Sequence, residues 1–173
     1  MKGYFFCLRK EYKMEKDILL ALDQASAVSG YAIFEDGKII KHGTFSVDDE
    51  KIATRLVKIK KNVLDLISNF NVTRVALEDI QLQKNVETYK ALAQVLGVLT
   101  ETLEEMEMPY EIVYSSSWKS TLRIKGNKRR DQKRNAQKYV LDNFNIKATQ
   151  DACDAICIGA HLLRPEEKCA WSN

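Results

Sequence analysis

The sequence predicts an α/β fold with a mixed five-stranded sheet, in the strand order 3-2-1-4-5, and helices on both faces. Two alternating apolar runs flank Asp36-Gly37, a dipeptide typical of a tight β-hairpin. Later apolar runs of strand length alternate with segments whose apolar residues recur every three to four positions, as in amphipathic helices. Because right-handed crossovers bring the later strands beside the first one and parallel to it, the hairpin-linked strands are expected on the other side of that strand.

The first half of the chain holds three strands and a helix. Residues 17–23, DILLALD, are a short apolar run that ends in a carboxylate, and we predict a strand there. The alternating runs around the hairpin predict strands at 29–35 and 38–47. Residues 50–70 then change period, with apolar side chains four and three positions apart and lysines on the opposite face, so they are predicted to be helical.

The second half alternates strand and helix and ends in two helices. Residues 73–79 and 109–115 are apolar runs of strand length. Helical spacing of apolar residues predicts helices at 86–106, 131–144 and 149–163. The predicted element order is therefore βββαβαβαα. A loop is predicted at the three serines that follow the last strand, Ser115, Ser116 and Ser117.

Length and composition indicate one globular domain. The 173 residues are 45% hydrophobic and 29% charged, with 2 prolines and 7 glycines, which excludes disorder and collagen-like repeats. No apolar run approaches the roughly 20 residues of a membrane span. We expect an N-terminal extension at 1–16, a domain at 17–164 and a C-terminal tail at 165–173. Reduced thiols of a cytoplasmic protein are expected because no CxxC pair occurs among Cys7, Cys153, Cys157 and Cys169.

A basic block lies within an otherwise mildly acidic chain. Residues 119–138 hold nine basic side chains and one acid, Asp131, a net charge of +8 within an overall +3. Such a block is typical of a polyanion-binding surface, although a solvated helix face has the same pattern. The nine basic residues are Lys119, Arg123, Lys125, Lys128, Arg129, Arg130, Lys133, Arg134 and Lys138.

Carboxylates end two of the predicted parallel strands. Asp23 closes the first strand and Glu78 the fourth, and neighbouring strands lie about 4.8 Å apart, so these side chains are expected to share one small volume. Asp151 and Asp154 lie three positions apart on one face of the last helix. Acids there also complement a helix dipole, but the rest of this helix is apolar and should pack on the sheet, which directs its acidic end towards the strand ends.

Four carboxylates without a neutralising base imply a divalent metal site. Oxygen ligands alone select Mg²⁺ or Mn²⁺, and the chain offers no histidine and cysteine set for zinc. Two ions about 3.5–4 Å apart, bridged by such acids, form the clamp that cleaves phosphodiester bonds. The acids and the basic block together predict a nuclease.

Three segments of the chain form a recognisable set: DQASAVSGYAIF at 23–34, EDIQLQKNVETYKALAQVLG at 78–97 and DACDAICIGAH at 151–161. They resemble the sequence blocks of RuvC-type Holliday junction resolvases, a branch of the ribonuclease H-like nucleases, and keep the order and spacing of that family. A lysine-rich, proline-poor composition is compatible with a phage or low-GC bacterial member. The resemblance implies a ribonuclease H-like fold and a RuvC-like nuclease domain at 17–164.

The resemblance also implies roles for individual residues. Asp23, Glu78, Asp151 and Asp154 match four metal-binding catalytic acids, which would hold two Mg²⁺ ions per active site, with Mn²⁺ as a substitute. Lys119 and Lys133 match two functionally important lysines. The family acts on branched DNA as a homodimer, with residues 86–106 at the dimer contact. The expected DNA-binding residues are Lys84, Asn85, Lys119, Arg123, Lys125, Lys128, Arg129, Arg130, Lys133 and Arg134.

The chain departs from the family pattern at three places. Gln24-Ala25 stands where the family has Pro-Gly, and Gln81 stands where it commonly has an aromatic that wedges into the opened junction. Asp79 stands where glutamine is common and adds a fifth acid near the site. Glutamine cannot stack on unpaired bases as an aromatic does, an interaction worth about 1–3 kcal/mol per base. We therefore expect relaxed sequence preference and cleavage of forks and flaps as well as junctions.

Three further expectations complete the sequence analysis. Tyr114 and Trp118 flank Lys119 and are expected to be half-buried core aromatics rather than platforms for bases. A ribonuclease H-like nuclease acting on RNA or an RNA–DNA hybrid is one alternative function. A non-catalytic protein that binds branched DNA is another.

Overall fold

The structure is a computed structural model that describes residues 16–82 and 85–164. The expected N-terminal extension, apart from Lys16, lies outside the described residues, as do Lys84 and the expected C-terminal tail. The described part contains five strands and five helices in the order βββαβαβααα. The sequence-based order lacked one of these helices.

The five strands form one mixed sheet in the predicted order, β3-β2-β1-β4-β5. The hairpin side is antiparallel: β1 (Ile18–Asp23) pairs with β2 (Val28–Glu35), and β2 pairs with β3 (Lys38–Ser46). The crossover side is parallel: β4 (Arg74–Glu78) pairs with β1, and β5 (Tyr110–Val113) pairs with β4. β1 is buried on both faces, which explains why its sequence is a nearly continuous apolar run.

The turn between β2 and β3 has the geometry that its dipeptide predicts. Asp36 and Gly37 both have positive φ, at 47° and 80°, and Glu35 pairs with Lys38 across the turn. A two-residue hairpin loop needs this left-handed backbone at both positions, which glycine adopts freely and aspartate tolerates.

Helices cover the two faces of the sheet. α1 (Ile52–Phe70) and α2 (Val86–Glu105) pack with Leu20, Leu22 and Leu77 on one face. The other face carries three helices, which pack on alternate residues of the same strands. They are α3 (Ser115–Thr121), α4 (Arg129–Phe144) and α5 (Gln150–Leu162).

The prediction of a loop at the three serines was wrong, because Ser115 begins α3. Serine favours turns and caps when only its local backbone is considered. Here the deciding contact is tertiary: Trp118, in the middle of α3, is 1% exposed and packs in the apolar layer beneath α5 and α4.

Two glycines allow α5 to lie directly against β2. A Cβ atom at Gly30 would overlap the backbone carbonyl of Asp151, and one at Gly159 would overlap the ring of Phe34. The first turn of α5 therefore sits on the sheet next to the end of β1. In the described part of the chain, no helix has the length and apolar character that crossing a bilayer requires.

Candidate active site

A cleft of about 500 Å³ opens at the carboxyl ends of β1 and β4. All four acids that the sequence analysis selected line it: Asp23, Glu78, Asp151 and Asp154. The fold thus brings together side chains from two strands and one helix that are far apart in the chain. Asp79 also lines the cleft and adds a fifth carboxylate.

The parallel register of β1 and β4 places Asp23 beside Glu78. The last paired residues of these strands are Leu22 and Leu77, so the following acids lie side by side. Burial raises the pKa of Asp23 well above its usual range, and the carboxylates of Glu78, Asp154 and Asp151 raise it further.

α5 contributes the other two acids from its first turns. Thr149 caps the helix by accepting a hydrogen bond from the Ala152 N–H, which fixes where the helix begins. Burial, together with the charge of Glu78, raises the pKa of Asp154 to about 6, although Lys133 and Lys119 oppose the shift. The charges of both acids and lysines that line the cleft therefore act on Asp154.

Glu78 is held by two residues whose role the sequence analysis missed. The indole Nε1 of Trp118 donates a hydrogen bond of 2.9 Å to Oε1 of Glu78. The side-chain amide of Gln24 donates to the backbone carbonyl of Glu78 and accepts from its N–H at 3.1 Å. The replacement of Pro-Gly by a glutamine was the available signal for the second contact, since only a primary amide offers both a donor and an acceptor.

Hydrogen bonds also fix the backbone of the segment after Asp23. The Ser29 hydroxyl accepts from the Ala25 N–H and donates to the Ala25 carbonyl, at 3.0 and 3.1 Å. Arg55 of α1 donates to the carbonyl of Ser26 at 3.3 Å. The chain that replaces the Pro-Gly turn is therefore an ordered wall of the cleft.

Cations line the same cleft. Lys119, Arg129 and Lys133 face it. Lys119 donates a 2.6 Å hydrogen bond to Ser115 Oγ, and its Nζ lies 5.0 Å from the centre of the Trp118 ring. These three residues are the part of the basic block that reaches the acids.

The remaining basic residues of 119–138 are exposed and do not line the cleft. Their contact with DNA stays a prediction. Arg134 lies 3.6 Å from Asp131 in the next turn of α4. The residues in this group are Arg123, Lys125, Lys128, Arg130, Arg134 and Lys138.

Two other residues of the sequence analysis have clear structural settings. The Asn85 side chain caps α2 by accepting from the N–H groups of Glu87 and Thr88, at 2.9 and 3.2 Å, and its contact with DNA stays a prediction. Gln81 is exposed and lines the mouth of the cleft beside Leu82, which is 85% exposed.

The expectation for the aromatics beside Lys119 was wrong for Tyr114. Tyr114 is 62% exposed at the start of α3, whereas Trp118 is fully buried. The two residues differ because Trp118 lies within α3, whereas Tyr114 is the non-helical capping residue before it. The side chain of Tyr114 therefore does not follow the helical spacing that would place it on the face of Trp118.

The donor set of the cleft suits a hard divalent cation. Its candidate ligands are carboxylates, and no salt bridge neutralises any of the four acids within residues 16–82 and 85–164. In the same ranges, no three acid, histidine or cysteine side chains surround one point as a ready-made ligand cage. Mg²⁺ fits such a site, since it usually takes one or two carboxylates and completes its shell with water and substrate phosphate.

Comparisons with known proteins agree on one family. The family model described as crossover junction endodeoxyribonuclease RuvC matches residues 19–161. The chain is similar to the crossover junction endodeoxyribonuclease RuvC of Dictyoglomus thermophilum, with 26% identity over 157 residues that cover 88% of this chain and 99% of the relative. It is also similar to the enzyme of that name from Ehrlichia canis, with 26% identity over 145 residues that cover 81% and 92%.

Solved structures show the same fold. The structure of T. thermophilus RuvC in complex with a Holliday junction substrate matches with a TM-score of 0.70 and 16% identity, over 84% of this chain and 91% of that chain. The fowlpox virus resolvase, in complex with substrate Holliday junction DNA, matches with a TM-score of 0.61 and 13% identity, over 84% and 96%. The expected ribonuclease H-like fold is therefore confirmed.

Proposed function

This chain belongs to the RuvC family of crossover junction endodeoxyribonucleases, and we propose that it cleaves phosphodiester bonds in four-way DNA junctions at the cleft described above. The single observation that carries the proposal is the convergence of Asp23, Glu78, Asp151 and Asp154 beside a wall of cations. Family membership makes the hybrid-specific nuclease and the non-catalytic binder the less favoured alternatives.

The four acids are proposed to hold the metal. Asp23 and Glu78 come from neighbouring strands, and Asp151 and Asp154 come from a helix packed on the same sheet, so the core fixes the backbone positions of all four. Two Mg²⁺ ions, or Mn²⁺ in their place, are proposed per site. When bound, such ions lower the pKa of water and stabilise both the attacking and the leaving oxygen of a phosphodiester.

The cations of the cleft are proposed to bind the phosphate that is cut. Lys119 and Lys133 line the same cleft as the acids and would neutralise the charge that builds on the oxygens of that phosphate. The exposed basic residues around the cleft would bind neighbouring phosphates and fix the position of the DNA without reading its bases. The products would carry a 5′-phosphate and a 3′-hydroxyl.

The finer choice of substrate and the assembly are also proposals. Gln81 at the mouth of the cleft favours cleavage of forks and flaps with relaxed sequence preference, since it offers no ring for stacking.

A homodimer would present two clefts to the two strands of a junction, with α2 at the contact. Exposed apolar side chains at and just before the start of α2, Val86 and Leu82, support this placement. A cytoplasmic location stays a prediction.

The test compares labelled substrates at equal salt, with and without Mg²⁺. A four-way junction, a fork, a flap, a linear duplex and an RNA–DNA hybrid are each incubated with the wild-type chain and with Asp23→Asn. We expect Mg²⁺-dependent cuts in the branched DNAs by the wild-type chain alone. Preferential cleavage of the hybrid would contradict the proposed substrate, and binding without any metal-dependent cut would contradict the proposed activity.

A further inference from the structure

We propose that Trp118 is a positioning residue for Glu78, with its indole N–H fixing the orientation of that carboxylate in the cleft. The inference rests on the proposed function, because it assigns Trp118 to the metal-binding part of the same site. The contact itself is a 2.9 Å hydrogen bond from Nε1 of Trp118 to Oε1 of Glu78.

The backbone of Glu78 has little freedom to move. On one side, the Gln24 amide bonds to both its N–H and its carbonyl, which extends the pairing of β1 and β4 past Leu22 and Leu77. On the other side, Glu78 pairs with Val113 of β5, and the N–H of the next residue donates to the Val113 carbonyl. The side-chain torsions are therefore the main freedom left to the carboxylate.

The indole N–H restricts the side-chain torsions of Glu78 without forming an ion pair with it. Trp118 is 1% exposed and packs in the apolar layer under α5, so its ring cannot turn away. An indole N–H is a neutral donor with no acceptor, whereas a lysine or arginine in its place would form an ion pair. The indole thus orients the Glu78 carboxylate without adding a positive charge of its own beside it.

Trp118 also connects the acid to the cationic wall of the cleft. It shares α3 with Lys119, whose Nζ lies 5.0 Å from the centre of the indole ring and hydrogen-bonds to Ser115. One short helix therefore places a donor on the acid and a cation in the cleft. Partners that orient metal ligands typically change metal affinity or activity about 10–100-fold when they are lost.

Trp118→Phe tests the proposal, because it keeps an aromatic ring in the core and removes the donor. We expect the Mg²⁺ concentration at the midpoint of a thermal-shift titration to rise about 10–100-fold, with single-turnover cleavage shifted in parallel. Affinity for a four-way junction without Mg²⁺ should not change. The control is Val63→Ala, a buried position of α1 on the opposite face of the sheet, which should lose stability but keep the wild-type Mg²⁺ midpoint.

A spectroscopic measurement on the wild-type fold covers the case in which Trp118→Phe does not fold. The chain has two tryptophans, so Trp171→Phe leaves one indole ¹⁵N–H resonance, from Trp118. We expect that resonance to shift on addition of Mg²⁺. A resonance that ignores Mg²⁺, or a Trp118→Phe protein with the wild-type Mg²⁺ midpoint, would overturn the inference. Failure of the wild-type chain to cut any substrate would instead overturn the proposed function.

Discussion

Asp154 is a largely enclosed acid among other acids, and this arrangement costs stability when no cation is present. Burial and the charge of Glu78 raise its pKa to about 6, from an ordinary value of 3.8. The folded chain therefore holds this proton more tightly than the unfolded chain does. By linkage, the metal-free protein loses stability as the pH rises from about 4 to about 6, and the loss is complete above that range.

Asp154→Asn tests this effect, because the amide has nearly the same shape and no charge. In EDTA at pH 8 we expect the free energy of unfolding to rise by about 1–3 kcal/mol, from the size of the pKa shift, as measured by urea denaturation. The gain should vanish at pH 4, where the aspartate is protonated. In Mg²⁺ the gain should shrink, because the wild-type chain is stabilised more by the ion than the variant, which lacks one proposed ligand.

Asp23→Asn separates catalysis from binding at the residue scale. Burial raises the pKa of Asp23, and the charges of Glu78, Asp154 and Asp151 each raise it further, so Asp23 interacts with all three other acids. We expect the variant to lose cleavage of a four-way junction while its affinity, measured by gel shift in Ca²⁺, stays equal or improves. Parallel loss of affinity and cleavage would point to a structural role for this residue.

At the scale of elements, the close packing of α5 on β2 determines where Asp151 and Asp154 lie. Any side chain at Gly30 would meet the backbone of Asp151, which cannot rotate away as a side chain can. The first turn of α5 would have to move from the sheet and carry both acids with it. The distance between the acids of the strands and those of the helix thus depends on Gly30 having no side chain.

Gly30→Ala is expected to destabilise the protein by about 1–3 kcal/mol, the usual cost of overpacking, and to reduce cleavage further than this loss explains. Val63→Ala is the control, because it is a buried position of α1 on the opposite face of the sheet. It should also lose stability, since it leaves a cavity in the core, but its cleavage should fall no further than that loss explains. Equal cleavage by the two variants would contradict the proposed link between α5 packing and the acids.

At the scale of the whole molecule, charge is distributed unevenly over the surface. Residues 119–138 carry a net +8, so the rest of the chain carries a net −5. These cations lie on α3, α4 and the segment between them, on the side of the sheet that holds the cleft wall. Such a block would attract a polyanion towards the side of the sheet that carries α3 and α4.

Charge removal at Arg129, Arg130 and Lys133 measures this contribution. Each phosphate contact adds about 0.9 to the slope of log K against log salt for duplex DNA, so replacing all three with glutamine should reduce the slope by about 2–3. The control replaces three lysines of α1, on the other face, Lys58, Lys60 and Lys61, and should leave the slope unchanged. Equal changes in both triple variants would indicate only a dependence on net charge.

The sheet and the acids were predictable because their signals are local and redundant. Each strand is an apolar or alternating run, the hairpin follows from Asp36-Gly37, and chirality then leaves one economical strand order. The acids follow from the same reasoning, since two of them end neighbouring parallel strands. α3 was not predictable in this way, because its three serines favour turns and caps when only the local backbone is considered. What favours the helix is a tertiary contact, the burial of Trp118 in the core.

The amino-acid sequence by itself determined the strand order, the family blocks and which four carboxylates meet, since periodicity and position along the chain specify these. Only the tertiary structure decided that Gln24 bonds to the backbone of Glu78 and that Trp118 donates to its carboxylate. It also decided that Lys119, Arg129 and Lys133 line the cleft while the other cations of residues 119–138 do not. The physical reason is that hydrogen bonds and field strength depend on separations of a few ångströms between groups that are distant in the chain, and no local pattern encodes those separations.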